Sequence, residues 1–108
     1  MWNKPSVKEL AALPALYATE KIKPQDTIIH LHFFIGGCDW YCAEYGKQEN
    51  IFFGFAILND DLQNAEWGYV SFPELCEINV SGIEVDRDLY FTPKKAIEVA
   101  KIKEAQNW

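Results

Sequence analysis

This chain of 108 residues has no long hydrophobic stretch, only one arginine and only three cysteines. The longest apolar runs, at 28–37 and 51–58, fall short of the ~20 residues that cross a bilayer, and no apolar signal stretch stands at the N-terminus. Cys38, Cys42 and Cys76 cannot all pair, and they lack the further ligands of a closed zinc site. We therefore expect a soluble, cytoplasmic protein with reduced thiols, no membrane association and no cofactor.

Basic residues are missing from most of the chain. The sequence has 16 acids against 10 bases and a formal net charge of -6. Twelve of the acids lie between Pro24 and Pro93, together with only two bases, Lys47 and Arg87. Neutralising a phosphate backbone requires lysine and arginine, so this composition disfavours direct nucleic-acid binding. It favours a partner protein with a basic surface.

The sequence does contain enough apolar and aromatic material for one core. Hydrophobic residues make up 49% of the chain and aromatic residues 15%, and no linker or repeat interrupts it. Alternating or continuous apolar runs predict strands at 27–35, 40–45, 51–58, 67–70 and 83–90. Helices are predicted after Ser6, after Ser71 and from Thr92–Pro93, where the residues have the character of helix starts. The sequence thus predicts a single α+β domain, residues 1–108, with an antiparallel or mixed sheet of about five strands covered by two or three helices.

Short motifs between Leu13 and Pro93 form a recognisable set, of which Gly68-Tyr69-Val70-Ser71 and Arg87-Asp88-Leu89 are the most specific. The others are Pro14-x-Leu16-Tyr17-x-Thr19-Glu20, Asp39-Trp40-Tyr41 with Glu44, Phe53-Gly54, Glu66-Trp67 with Glu74-Leu75, and Phe91-x-Pro93. Together they resemble a bacterial family of uncharacterised proteins, the domain of unknown function 2958. Members look like small proteins carried on plasmids, integrative elements and phages, so the resemblance implies an accessory role in a mobile genetic element. It transfers no catalytic residue to this chain.

His30 and His32 stand two residues apart in a predicted strand, so both imidazoles would point from one face. With a carboxylate from Asp39, Glu44 or the strand at 83–90, they could ligate a metal ion. A small metal-dependent hydrolase is therefore the alternative function. Histidines flanked by aromatic residues are more often packed side chains, and neither a nucleophile nor a phosphate-binding loop accompanies this pair.

The last predicted strand carries alternating acids. Three carboxylates would share one of its faces: Glu84, Asp86 and Asp88. Such a group could act as an acid and base pair or hold a divalent cation, while a charged edge strand that discourages association between sheets gives the same pattern. Arg87, the only arginine, would point to the opposite face, and we expect it to pair with a buried carboxylate such as Glu44 or Glu66.

Aromatic residues are more numerous than one core of this size requires, so some should be exposed. Exposed Trp and Tyr side chains among acids are typical of protein-binding surfaces. The sequence therefore predicts a non-enzymatic protein-binding module, and in the extreme case an acidic surface that imitates DNA, as antirestriction proteins of mobile elements can. The predicted binding residues are Trp40, Glu66, Trp67, Tyr69, Asp86, Arg87 and Asp88.

Overall fold

The β-branched and aromatic stretches of the chain form a five-stranded antiparallel sheet. The computed structural model describes residues 1–108. In chain order the elements are α1 (Val7–Ala11), a short 3-10 helix (Pro24–Asp26), β1 (Ile28–Ile29), β2 (Leu31–Ile35), β3 (Cys38–Gly46), β4 (Ile51–Ile57), β5 (Glu66–Ser71), α2 (Phe72–Glu77), β6 (Asn79–Val80), β7 (Ile83–Glu84), β8 (Asp86–Arg87), β9 (Lys94–Lys95), a second 3-10 helix (Ala96–Glu98) and α3 (Ala100–Gln106). The order across the sheet is β5-β4-β3-β2-β8, while β1 pairs with β9 and β6 with β7. This architecture confirms the predicted α+β class.

Both faces of the sheet are buried, because successive side chains of a strand point to opposite faces and β3 and β4 are apolar in both directions. On one side, Phe33 and Phe52 pack with Leu75 of α2 and with the buried residues of α1. On the other side, Phe55 packs with Ile102 of α3. We call these the α1/α2 face and the α3 face. Two small cores, one on each face, thus stabilise one sheet.

The first two helices begin where the sequence predicts. The Ser6 hydroxyl accepts from the Glu9 backbone N–H at 3.1 Å, and the Glu9 carboxylate accepts from the Ser6 N–H at 2.9 Å, which completes a capping box. The Ser71 hydroxyl caps α2 by accepting from the Glu74 N–H at 3.2 Å, with Pro73 in the first turn. None of the three helices has the length and apolar character needed to cross a membrane.

The predicted helix start at Thr92–Pro93 is wrong. The chain continues as the two-residue strand β9, which pairs with β1, and the Ala96 N–H then donates to the Thr27 carbonyl at 2.8 Å. Only at Ala100 does α3 begin. Pairing with a distant segment therefore overrides the local helix signal, because backbone groups of residues 94–96 bond to residues 27–29 and are not free to form a helical turn.

The predicted strand at 83–90 is interrupted. Its first part, β7, pairs with β6, and its second part, β8, pairs with β2. The Asp88 carboxylate then accepts from the Tyr90 N–H at 3.0 Å, which closes a turn and leaves Tyr90 96% exposed. The residues of this segment consequently do not follow one regular alternation.

Candidate functional site

The predicted binding residues divide between the two edges of the sheet. Glu66, Trp67 and Tyr69 lie on β5, at one edge, while Asp86 and Arg87 form β8, at the other, and Asp88 follows them. The structure therefore brings together the first three and separates them from the last three. Trp40 is only 8% exposed and belongs to the core of the α1/α2 face, so it does not form the exposed anchor assigned to it.

Arg87 has a different partner from the two that the sequence suggested. Its Nη1 contacts the Glu9 carboxylate at 2.5 Å, and its Nε donates to the Asn3 carbonyl at 2.9 Å. The Ser6 backbone N–H, and after it Arg87, lowers the pKa of Glu9 to about 2. Arg87 thus ties the N-terminal segment to β8, and the expected pairing with Glu44 or Glu66 is wrong.

The three alternating carboxylates of this edge do not converge. Glu84 contacts the Met1 amino group, Asp86 accepts from the Asn3 side chain at 2.8 Å, and Asp88 bonds to a histidine. No three His, Cys, Asp or Glu side chains are grouped so that they could hold a metal ion. Each acid is therefore engaged separately, and the predicted shared face is absent.

His32 lies between two carboxylates. Its Nε2 is 2.7 Å from Asp39, its Nδ1 is 3.1 Å from Asp88, and its ring stacks on Tyr41 at 4.4 Å between centroids. Asp39 also contacts Lys101 of α3 at 2.8 Å. Burial raises the pKa of Asp39, but hydrogen bonds from His32 and Lys101 outweigh it and hold that pKa below its usual value. The cluster links β2, β3, the turn after β8 and α3.

His30 lies apart from that cluster. Its backbone N–H donates to the Cys42 carbonyl at 2.8 Å, and burial lowers the pKa of its imidazole. It lines a polar cavity that also includes Arg87 and Asp88. The structure supplies the pair His30 and His32 with no common third ligand, and a metal role for them stays a prediction.

An aromatic cavity of about 360 Å³ lies where the α3 face meets the edge strand β5. Trp67 and Tyr69 reach it together because they are two residues apart on β5, and Phe53 is the register partner of Tyr69 on β4. The Phe53 ring lies 5.9 Å from that of Trp67 and 5.2 Å from that of Tyr69. We call this cavity the aromatic pocket; its lining residues are Tyr17, Thr19, Glu20, Ile22, Pro24, Thr27, Glu44, Phe53, Trp67 and Tyr69.

A buried carboxylate forms one wall of the aromatic pocket. The pairing of β3 with β4 shifts register between Cys42 and Glu44, and this bulge changes the direction of the Glu44 side chain. Glu44 is 2% exposed and accepts hydrogen bonds from the Tyr17 N–H at 2.8 Å, the Thr19 N–H at 2.9 Å and the Thr19 hydroxyl. It has no ion pair. The pocket therefore contains a buried negative group that only dipoles stabilise.

The mouth of the pocket is formed by two exposed tyrosines. Tyr17 has a backbone φ of 71°, a left-handed conformation that is strained for a bulky residue. Its ring meets that of Tyr69 edge to face at 6.5 Å. Partial burial, Tyr17 and then the carboxylates of Glu44 and Glu20 raise the pKa of Tyr69. The same pocket residues thus disfavour additional negative charge.

One buried polar side-chain atom has no hydrogen-bond partner, the indole Nε1 of Trp67. Buried N–H groups are rarely left unpaired. Trp67 and Tyr69 are predicted site residues, whereas Tyr17 and Phe53 are not, and the sequence suggests Glu44 only as a metal ligand or a partner of Arg87. The signal that could have found Glu44 is a lone acid within the otherwise apolar predicted strand 40–45, since a carboxylate at such a position needs a specific role.

Comparison with known proteins identifies a family for this chain but no individual relative. A family model described as a protein of unknown function, DUF2958, matches residues 6–107. The chain belongs to the DUF2958 family. No curated protein and no solved structure matches it. The DUF2958 match confirms the resemblance seen in the sequence and spans every residue of the aromatic pocket.

Replacing Glu44 by glutamine should destabilise this DUF2958 protein by about 1.5 kcal/mol, because an unpaired buried donor costs roughly 1–3 kcal/mol. Two backbone N–H groups, those of Tyr17 and Thr19, donate to the carboxylate, and an amide offers one acceptor oxygen and one NH₂. Urea unfolding followed by tryptophan fluorescence measures the difference. Glu66→Gln, at an exposed position, is the control and should change stability little. Equal effects at the two positions would show that the bonds from Tyr17 and Thr19 to Glu44 do not stabilise the fold.

Proposed function

We propose that this DUF2958 protein is a non-enzymatic binding module whose aromatic pocket receives a cationic side chain, lysine or arginine, of a partner protein. The observation that carries the proposal is the buried Glu44 carboxylate, which faces aromatic walls and has no cationic partner within the chain. Charges buried in proteins are normally paired, so a positive group from outside would complete the site.

The aromatic walls favour the same kind of ligand. The faces of Trp and Tyr rings attract cations by about 0.5–2 kcal/mol each, more when water is excluded. The lining residues include four aromatic rings and the acids Glu20 and Glu44, and no lysine, arginine or histidine. A pocket with this composition selects for positive charge and against phosphate or carboxylate groups.

A protein is a better match than a free small cation because the mouth of the pocket is itself built like an interface. Tyr17 is 60% exposed and Tyr69 is 55% exposed, and exposed tyrosines are enriched among the residues that dominate protein–protein binding. Proteins that handle nucleic acids carry the required basic side chains on their surfaces. Such a partner, in the cytoplasm and in the service of a mobile element, agrees with the charge distribution and the motif resemblance.

The direct test titrates the protein with the blocked amino-acid amide of arginine and, at equal ionic strength, with that of citrulline, its neutral counterpart. We expect saturable shifts of the Trp67 indole N–H signal in NMR spectra with arginine amide, at a Kd near or below about 10 mM, corresponding to roughly 3 kcal/mol of binding free energy. Citrulline amide should bind at least tenfold more weakly. Equal binding of the two would refute a cation site.

Matched variants localise the binding. Tyr69→Ala should weaken arginine-amide binding about tenfold, since it removes one cation-attracting ring. Glu20→Gln should weaken it less, because Glu20 is exposed and its charge is screened by salt. Tyr90→Ala, an equally drastic change at the other edge of the sheet, should leave binding unchanged. An equal loss with Tyr69→Ala and Tyr90→Ala would count against the pocket.

A further inference from the structure

The two edges of the sheet differ in what covers them. At the β8 edge the chain pairs with its own N-terminal segment: the Trp2 N–H donates to Val85 at 2.8 Å, and the Trp2 carbonyl accepts from Arg87 at 3.2 Å. At the other edge, β5 pairs only with β4, and no backbone group from Glu66 to Val70 bonds to any other segment. One edge is closed and the other is open.

The backbone groups that β5 leaves free belong to the residues of the aromatic pocket. The Phe72 N–H donates to the carbonyl of Asn50, the residue before β4, at 3.0 Å. In an antiparallel ladder every second residue of a strand bonds to the neighbouring strand. The inward positions are therefore Val70 and Gly68. The N–H and C=O groups of Trp67 and Tyr69 consequently point outward, away from β4.

This edge has little of the usual protection against pairing. Natural edge strands are commonly short or carry lysine, proline or a bulge. β5 has six residues in continuous register with β4 and contains neither lysine nor proline. Its only charged residue is Glu66. An edge of this kind is suited to receive another strand.

A second depression lies on the opposite face of the same edge. Gly54 and Gly68 are register partners, and a furrow of about 130 Å³ lies beside them between Trp40 and Val70. A Cβ placed on Gly68 would meet no atom within 4 Å. The open strand therefore has the aromatic pocket on one face and a small, mostly apolar furrow on the other.

We infer that an extended basic peptide of the partner protein adds to β5 as a sixth strand, with one lysine or arginine in the aromatic pocket and an adjacent apolar side chain over the furrow. The inference rests on the proposed function for its cationic residue. Side chains of an added strand alternate between the faces, so consecutive residues meet the two depressions. Main-chain bonds to Trp67 and Tyr69 supply affinity, and the pocket supplies specificity.

A second copy of this chain fits the edge less well than a basic peptide. Two β5 strands paired edge to edge would bring no basic side chain to the aromatic pocket, because the strand contains none. Charge complementarity thus selects a basic strand from another protein.

Amide hydrogen exchange of the intact protein tests strand addition. The probe is the blocked peptide Val-Thr-Val-Arg-Val-Thr-Val, in which arginine and the valines occupy opposite faces. We expect the exchange of the Trp67 and Tyr69 amides to slow at least tenfold on peptide binding, because these amides gain partners. The Gly68 and Val70 amides are already paired with β4 and serve as internal controls, whose exchange should change little.

Two further arms separate this inference from the proposed function. They compare this peptide with one that has citrulline in place of arginine. If only the arginine peptide binds, but the exchange of the Trp67 and Tyr69 amides does not change, strand addition is overturned and the cation pocket stands. Slowed exchange with equal binding of arginine and citrulline peptides would overturn the cation pocket and the assigned side chain. If neither peptide binds, the edge is unused and the inference is overturned. If the protein without peptide is a dimer in which the Trp67 and Tyr69 amides are already protected, the edge belongs to a second copy and the inference is overturned as well.

Discussion

Gly54→Ala should destabilise the protein by about 3 kcal/mol, at the upper end of the usual cost of adding a methyl group to a filled core. A Cβ built on Gly54 lies 2.1 Å from the Tyr41 carbonyl oxygen and 2.9 Å from the Cys42 Cα. Both atoms belong to the backbone of β3, which cannot rotate aside as a side chain could. The two central strands would have to separate. Equilibrium unfolding in urea, followed by circular dichroism, measures the shift in midpoint.

Gly68→Ala provides the matched control for this substitution. Gly68 is the register partner of Gly54 on the neighbouring strand, but a Cβ there meets nothing within 4 Å. The change should leave stability unaltered or raise it by up to about 1 kcal/mol, since alanine reduces the conformational freedom of the unfolded chain. Similar destabilisation by both substitutions would show that close backbone approach is not what requires glycine at position 54.

Asp39→Asn should cost about 3 kcal/mol, because it removes the charge from a buried carboxylate that the Lys101 ammonium and the His32 imidazole both contact. Asp39 is 4% exposed and lies 2.7 Å from His32 and 2.8 Å from Lys101. Asp26→Asn is the control. Asp26 meets Lys95 at 3.7 Å on the surface, and an exposed pair contributes about 0–1 kcal/mol. Urea unfolding at neutral pH that gave equal losses for the two variants would contradict the role of Asp39.

The difference in stability between the wild type and Asp39→Asn should also depend on pH. The folded pKa of Asp39 is lowered, so its contribution is complete above the unfolded value near 3.8 and is lost as the pH falls through the folded value. The pKa of Lys101 is raised from 10.5, so its share is complete below that value and is lost as the pH rises through the folded value. The difference should therefore be greatest between about pH 5 and 9 and shrink on either side.

Local signals in the sequence predicted the elements whose causes are local. Ser6 and Ser71 mark helix starts because a hydroxyl can bond to a backbone N–H three residues on, and both helices begin there. The start at Thr92–Pro93 failed because β9 pairs with β1, some 66 residues earlier in register. The partner of Arg87 was missed for the same reason, since Glu9 lies beside β8 only because the folded N-terminal segment packs there.

The aromatic pocket was predictable only in part. Trp67 and Tyr69 stand out because alternation places two large rings on one face of a strand. Tyr17 joins them through a loop whose position depends on its hydrogen bond to Glu44 and on a bulge in β3. Neither the bulge nor the contact across 27 residues leaves a pattern in a single sequence. The pocket therefore emerges only when the sheet and the loop are assembled.

The closure of the β8 edge by Trp2 limits how many chains can be joined side by side. A sheet with two free margins can extend in both directions and grow into a filament, whereas one that is sealed on one side takes a single neighbour. The expected stoichiometry is consequently one peptide per molecule, and an assembly mediated by this sheet ends at that first addition.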